Sequence, residues 1–266
     1  GLVRDQVNDL LHNQTDLTVI SGAKGGLRNT LVIGASYSQE DYSIENAQLL
    51  RNPGGATPNP AQPPISLSNP NTVWTGPVNY VRTGNSYGDT RNWAIYAFDT
   101  LEISPMFEIN AGVRYENARN VFRADTVTPP ATPVTGLVYT RGVDQVSDEN
   151  LFSYRIGAVF HPTENVSLYA AYGNAKTPTS ASVRAGCGVP ANPTAADPCA
   201  VAPEKARNIE FGAKAELMDK KLLLTAALFR NERTNFRVPS NDPAQPASLQ
   251  ILDGRSRVDG VALGIT

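Results

Sequence analysis

The chain lacks any apolar run approaching the roughly 18 residues that a transmembrane helix needs, which excludes helical spans but leaves β-spans open, since these show only as alternation within about 10 residues. It also lacks a basic excess. The net charge is −2 with 18% charged residues, so polyanion binding has no electrostatic footprint and nucleic acid is not an expected partner. Histidine occurs twice, as His12 and His161, far apart and in no H-E-x-x-H or other ligand spacing. No metal and no cofactor are therefore expected. The glycine pairs Gly25-Gly26 and Gly54-Gly55 fit turns and not a phosphate-binding G-x-G-x-x-G. Cysteine is nearly absent too. Cys187 and Cys199 sit in one Pro/Ala-rich segment, where a local disulfide formed in an oxidising compartment is expected, two unpaired thiols being the alternative. The sequons Asn13-Gln14-Thr15 and Asn165-Val166-Ser167 match the glycosylation pattern but lie in or beside expected strands and not in a surface loop. The opening residues, Gly1-Leu2-Val3-Arg4-Asp5-Gln6, show neither Met nor a basic and apolar leader. The chain is expected to begin inside something longer.

What is present is period two. An alternating stretch, a short polar turn, a second alternating stretch and a long polar loop form a unit that recurs four times. The first passes from Thr15–Gly22 through Lys24-Gly25-Gly26 to Thr30–Ser38, with Leu31, Ile33, Ala35 and Tyr37 opposed by Gly34, Ser36 and Ser38. The second runs over Trp93–Ile103, turns at Ser104-Pro105 and returns with Ile109, Ala111, Val113 and Tyr115 against Asn110, Gly112, Arg114 and Glu116. In its outgoing strand the facing is open, because Tyr96 and Phe98 share a side with Thr100 while Ile95 shares one with Asp99. The third alternates Phe152, Tyr154, Ile156, Ala158 and Phe160 with Ser153, Arg155, Gly157 and His161, turns at residues 162–165, and returns through Val166, Leu168, Ala170 and Tyr172. The fourth sets Ile209, Phe211, Ala213, Ala215 and Leu217 against Asn208, Glu210, Gly212, Lys214 and Glu216, turns at Met218-Asp219-Lys220, and returns through Leu222, Leu224, Ala226 and Leu228. A ninth strand starts near Ser256.

Short turns alternate strictly with long loops, roughly residues 40–90, 123–150, 175–206 and 239–254, and Tyr37, Tyr115, Phe122, Phe152, Phe160 and Tyr172 fall near strand ends. That pattern predicts an all-β fold, an antiparallel up-and-down transmembrane β-barrel with short periplasmic turns, long extracellular loops and aromatic girdles. A soluble sandwich would show turns every 8–12 residues or so. Residues 1–266 are read as one partial barrel domain of about nine strands. Two open edges would remain, each leaving backbone groups whose exposure to hydrocarbon costs several kcal/mol.

Several segments resemble the barrel of TonB-dependent siderophore receptors. These are Asn13-Gln14-Thr15-Asp16-Leu17-Thr18 with Asn29-Thr30-Leu31-Val32-Ile33-Gly34, and Tyr96-Ala97-Phe98-Asp99-Thr100-Leu101 with Asn110-Ala111-Gly112-Val113-Arg114-Tyr115. Val166-Ser167-Leu168-Tyr169-Ala170-Ala171-Tyr172 follows its Pro-containing turn as in that family. The most specific stretch is Pro203-Glu204-Lys205-Ala206-Arg207-Asn208-Ile209-Glu210-Phe211-Gly212, leading into Leu223-Leu224-Thr225-Ala226-Ala227-Leu228-Phe229-Arg230 and Thr234-Asn235. The resemblance implies a bacterial outer-membrane receptor without enzymatic activity. It would import a ferric siderophore, of the catecholate type, through a plugged barrel of about 22 strands, driven by TonB acting on an N-terminal region this chain does not contain. A surface adhesive barrel and a general diffusion porin are the rival readings.

Ferric catecholates are anionic and aromatic, so Arg donors beside Tyr or Trp faces suit them. Trp74, Tyr80, Arg82, Tyr87 and Arg91 form one such run, with Arg141 and Arg184 as lesser candidates; ordinary loop solubility is the competing explanation. Arg114, Glu116, Arg155, Glu210 and Lys214 are expected to face the lumen and to pair with one another or with plug carboxylates.

Overall fold

Among the described residues the alternating segments form ten strands and one short 3-10 turn at Pro53–Gly55: β1 (Leu2–Gly22), β2 (Arg28–Gln48), β3 (Val81–Ser104), β4 (Phe107–Thr128), β5 (Val138–Thr140), β6 (Gln145–Thr163), β7 (Val166–Thr177), β8 (Glu204–Leu217), β9 (Leu222–Pro239) and β10 (Gln250–Ile265). The structure, a computed structural model, describes residues 2–62, 65–70, 73–128, 138–178, 202–239 and 250–266. Strand order follows chain order through β1-β2-β3-β4-β6-β7-β8-β9-β10, and the short β5 pairs with β4. Cys187, Cys199 and Arg184 lie outside the described residues.

The short turns fall where expected, but several strands run well past the predicted loop boundaries. β2 continues to Gln48, β3 begins at Val81, β4 reaches Thr128 and β10 begins at Gln250. The strand β5 falls within a stretch read as loop. At the turn after β8, Met218, Asp219 and Lys220 all hold positive φ, at 52°, 55° and 66°, a left-handed conformation that costs a non-glycine residue about 1–2 kcal/mol.

The chain divides into two compact units, one of Gly1–Leu11, Gln39–Thr90 and Asn120–Val146, the other of His12–Ser38, Arg91–Arg119 and Ser147–Thr266. In the second unit the antiparallel registers sort residues into two faces, because residues directly opposite on neighbouring strands share a face. From the short-turn end, one face of β7 to β10 reads Val166, Ala215, Leu224, Ile265, then Leu168, Ala213, Ala226, Leu263, then Ala170, Phe211, Leu228, Val261. The other face reads Ser167, Lys214, Thr225, Gly264, then Tyr169, Gly212, Ala227, Ala262, then Ala171, Glu210, Phe229, Gly260. The first is apolar without exception. No second layer covers it: Phe211 and Leu228 remain 57% and 58% exposed, as a lipid-facing surface requires and a sandwich core would not allow.

The apolar face is bordered by rings. Trp93 meets Tyr115 with centroids 5.7 Å apart, and Tyr154 meets Phe152 at 6.0 Å and Tyr172 at 5.8 Å. Phe107 and Tyr115 on β4, like Phe160 and Phe152 on β6, are eight residues apart. Eight residues cover about 27 Å of strand, which at a tilt of about 40° stands about 20 Å tall, close to the apolar band of an outer-membrane barrel.

The open question in β3 is resolved by contacts. Tyr96 donates its hydroxyl proton to Asp16 and lies under Arg114, while Phe98 lies under Arg155 at 4.5 Å. Both rings therefore belong to the polar face, where each covers a glycine: a Cβ built on Gly34 would come within 2.3 Å of the Tyr96 ring, and one on Gly112 within 2.2 Å of Phe98. Gly212 and Tyr169 repeat the arrangement, at 2.3 Å. An aromatic ring laid over a glycine of a neighbouring strand restores packing that the missing side chain gives up.

Two expectations follow. Ala226→Arg, in the middle row of the apolar face, should destabilise the barrel by about 2–4 kcal/mol, whereas Arg at its neighbour Ala227, flanked by Gly212 and Ala262 on the polar face, should be tolerated; denaturant midpoints of the folded receptor in detergent would compare them, and equal losses would reverse the face assignment. Gly212→Val should cost about 1–3 kcal/mol through overpacking against Tyr169, and much of that loss should vanish in the Gly212→Val, Tyr169→Ala double variant. Additive losses would mean the ring does not set the constraint.

Candidate ligand-binding site

The first unit carries most of the residues singled out as ligand contacts. Its long loop after β2 is pinned at the base: Asn79 N donates to Leu49 O at 2.8 Å, Asn79 Nδ2 to Arg51 O at 2.9 Å, and Thr83 Oγ1 to Asn46 O at 3.2 Å. Asn52 Nδ2 holds the next bend by donating to Ala56 O and Pro58 O, at 2.9 and 2.8 Å. Trp74 folds onto its own loop, its indole N–H donating to Pro77 O at 3.0 Å with the ring against Gly76.

Beyond this base, the candidates divide between two carboxylate-centred clusters. Glu45 accepts from the Tyr80 hydroxyl at 2.6 Å and pairs with Arg82 at 2.7 Å; Tyr139 also hydrogen-bonds Arg82. The hydrogen bond to Glu45 and its negative charge push the Tyr80 phenol above its ordinary pKa, because ionisation would set two anions side by side. In the second cluster Arg123 lies over the Tyr87 ring at 4.5 Å and pairs with Asp125 at 3.0 Å and Asp144 at 3.6 Å. Asp144 also holds Arg141 at 3.0 Å, and Asp125 accepts from Gly142 N at 2.9 Å. Arg123 thus ties β4 to the segment leading into β6.

The run from Trp74 to Arg91 is therefore not one cluster. An extended strand advances about 3.3 Å per residue, so Tyr80 and Arg91 are separated by about 36 Å of chain, and Arg91 belongs to the second unit. Sequence reading missed Glu45, Arg123 and Asp144. The first two lie in strand extensions taken for loop, and Asp144 immediately precedes β6; the Arg-x-Asp spacing of Arg123 and Asp125 was the available signal.

Beside Tyr87 opens a cleft of about 420 Å³ lined by Asp9, Asp41, Tyr42, Asp89, Arg123 and Asp144 among others. Four carboxylates against one guanidinium disfavour a polyanion there. The better-placed anion donors are Arg82 and Arg141, whose side chains stay 45% and 63% exposed with N–H groups to spare.

In the second unit, Arg114 and Glu116 pair with each other at 2.8 Å. Lys214 pairs with Glu216 at 2.9 Å, not with Glu210, which accepts from Tyr169 at 2.5 Å. Arg155 rests on Phe98, with no carboxylate partner among the described residues. His161 Nδ1 lies 3.0 Å from Ser167 Oγ. Among the described residues no cluster of three His, Cys, Asp or Glu is arranged to hold a metal.

Glu45→Gln should remove the carboxylate that keeps Tyr80 protonated and bring its phenol back towards the ordinary value. Tyrosinate absorbance during alkaline titration, compared between the parent and this variant with Tyr80→Phe as the blank, measures it; an unmoved Tyr80 titration would mean the contact is not formed in solution.

Comparison with known proteins extends over the whole of this architecture. The family model described as TonB dependent receptor-like, beta-barrel, matches residues 3–266. The catecholate siderophore receptor Fiu of Escherichia coli K12 is 31% identical over 278 aligned positions, which take in 98% of this chain and 33% of that protein. Among solved structures, the closed form of the ferric-catecholate import receptor Fiu from the same organism superposes with a TM-score of 0.73 at 26% identity, covering 98% of this chain and 36% of that one. The siderophore receptor PiuA of Acinetobacter baumannii shares the fold, with a TM-score of 0.68 at 22% identity over 98% of this chain and 36% of its own. The chain spans about a third of the length of the curated relatives it matches.

Proposed function

We propose that this chain, which belongs to the TonB-dependent receptor β-barrel family, forms part of an outer-membrane receptor that imports a ferric siderophore of the catecholate class with energy delivered by TonB. The observation carrying the proposal is the end-to-end likeness to a catecholate receptor, coupled to a sheet with one wholly apolar face and one polar face. A porin and an adhesive barrel would need a similar sheet, but family membership favours neither. The proposal gives the chain binding and passage of a ligand, with no covalent chemistry.

Ligand contact falls to the exposed guanidiniums of the first unit, Arg82 beside the Tyr80 phenol and Arg141, with Tyr87 a candidate as a ring face only, since the cleft beside it is acidic. Trp74 offers part of a ring face, and Arg91 and Arg184 remain candidates from their residue type. Catecholate oxygens attached to iron carry negative charge, which suits bidentate Arg donors, and catechol rings suit Tyr and Trp faces. Arg82 and Arg141 are oriented beforehand by Glu45 and Asp144, so little side-chain freedom is lost when ligand arrives. The polar residues Arg114, Glu116, Arg155, Glu210 and Lys214 would line the passage and hold the plug of the intact receptor.

In the full-length receptor, Arg82→Ala with Arg141→Ala should lower ferric-catecholate uptake at limiting substrate about tenfold or more, by weakening two charge-assisted contacts, while surface expression stays constant. Uptake of radiolabelled iron under iron limitation reads this directly. Unchanged uptake would remove both residues from the site, and failure to take up any ferric siderophore in the parent would dispose of the substrate class.

A further inference from the structure

The register that defines the apolar face continues past its upper edge. Above the row Ala170, Phe211, Leu228, Val261 comes Tyr172, Ile209, Arg230, Asp259, then Asn174, Arg207, Glu232, Arg257, then Lys176, Lys205, Thr234, Arg255. Two rows convert an unbroken apolar surface into a charged one, on the same outward face. Six cations stand there against two carboxylates, an excess of four positive charges on a chain whose net charge is −2.

The two carboxylates act as spacers. Arg207 pairs with Glu232 at 2.6 Å, and Asp259 bridges Arg230 at 2.6 Å and Arg257 at 2.7 Å. Each guanidinium has five N–H donors and commits only part of them to a carboxylate, and the side chains of Arg207 and Arg257 are 54% and 55% exposed. Among the described residues Lys176, Lys205 and Arg255 have no carboxylate partner. The patch lies at the long-loop end of the strands, the extracellular side of an outer-membrane barrel.

We infer that this face of β7 to β10 is a docking site for a phosphorylated lipid of the outer leaflet, whose acyl chains lie over the Phe211, Leu228 and Val261 rows and whose phosphates sit among Lys176, Lys205, Arg207, Arg230, Arg255 and Arg257. Charge complementarity and continuity with the apolar face select this occupant over a soluble anion, since a free phosphate would gain nothing from the rows below. The spacing fits as well. Adjacent strands lie about 4.8 Å apart, so the four strands offer donors across about 14 Å, enough for more than one phosphate on a single headgroup. The inference rests on the outer-membrane placement and is independent of which siderophore is carried.

The test uses the full-length receptor in neutral detergent, titrated with bisphosphorylated lipid A, with phosphatidylcholine and with inorganic phosphate, bound lipid being counted by native mass spectrometry. Lipid A should bind well above phosphatidylcholine, and inorganic phosphate should compete poorly. Lys176→Gln, Lys205→Gln, Arg255→Gln, which leaves every ion pair in place, should weaken lipid A by about a hundredfold at low salt while leaving phosphatidylcholine retention unchanged. Glu232→Gln, Asp259→Asn should tighten it. Equal retention by parent and triple variant would overturn the proposal, as would full displacement by inorganic phosphate at matched concentration, which would mark a site for a soluble anion. A receptor retaining neither lipid would overturn the proposal and leave the family assignment intact.

Discussion

In hydrocarbon a backbone N–H or C=O without a partner costs several kcal/mol, and nothing in a lipid tail can supply one. Every strand of this chain within the membrane must therefore be hydrogen-bonded on both edges, and β8 and β9, each paired on both sides, meet that demand, while among the described residues β1 and β10 end the strand order with one partner each. Once the ladder is fixed, side chains have only two directions left. The sequence then distributes chemistry between them: Val, Leu, Ile, Ala and Phe to lipid, and Lys, Glu, Tyr, Ser and Gly to the other side. Even the backbone contacts between hairpins, such as His161 N to Met106 O and Glu216 N to Asn165 O, both at 2.8 Å, continue the same accounting at the short-turn end.

The same constraint explains what could be read from sequence and what could not. Period two is visible wherever one face meets lipid, and there the strands and their short turns were legible to within a few residues. Beyond the membrane both faces meet water, so the pattern fades although the ladder continues. Segments such as Glu40-Asp41-Tyr42-Ser43-Ile44-Glu45 and Arg123 to Thr128 read as loop and fold as strand. Tyr96 and Phe98 left the facing of their strand open for another reason. An aromatic on the polar face looks out of place until the glycine it covers, on a neighbouring strand, is known. Local spacing holds no record of that pairing.

The candidate site was legible in residue type and not in arrangement. Arg and Tyr were the expected chemistry, and Tyr80, Arg82, Tyr87 and Arg141 do occur with rings and guanidiniums near one another. Their organisers, Glu45, Arg123 and Asp144, are recruited from other strands or from the approach to β6, at sequence separations that no local pattern encodes. Asp144 also lines the acidic cleft with Asp9, Asp41 and Asp89, so one carboxylate belongs to both features.

The close approach of Gly212 to Tyr169 reaches into the history of the protein. With the ring in place, no side chain fits at position 212; with glycine in place, losing the ring opens a gap and frees Glu210 from its phenol. Neither position can drift alone without passing through a weakened barrel. The two are expected to change together or not at all across lineages, so that a covarying pair would report strand adjacency where hydrophobic pattern is silent.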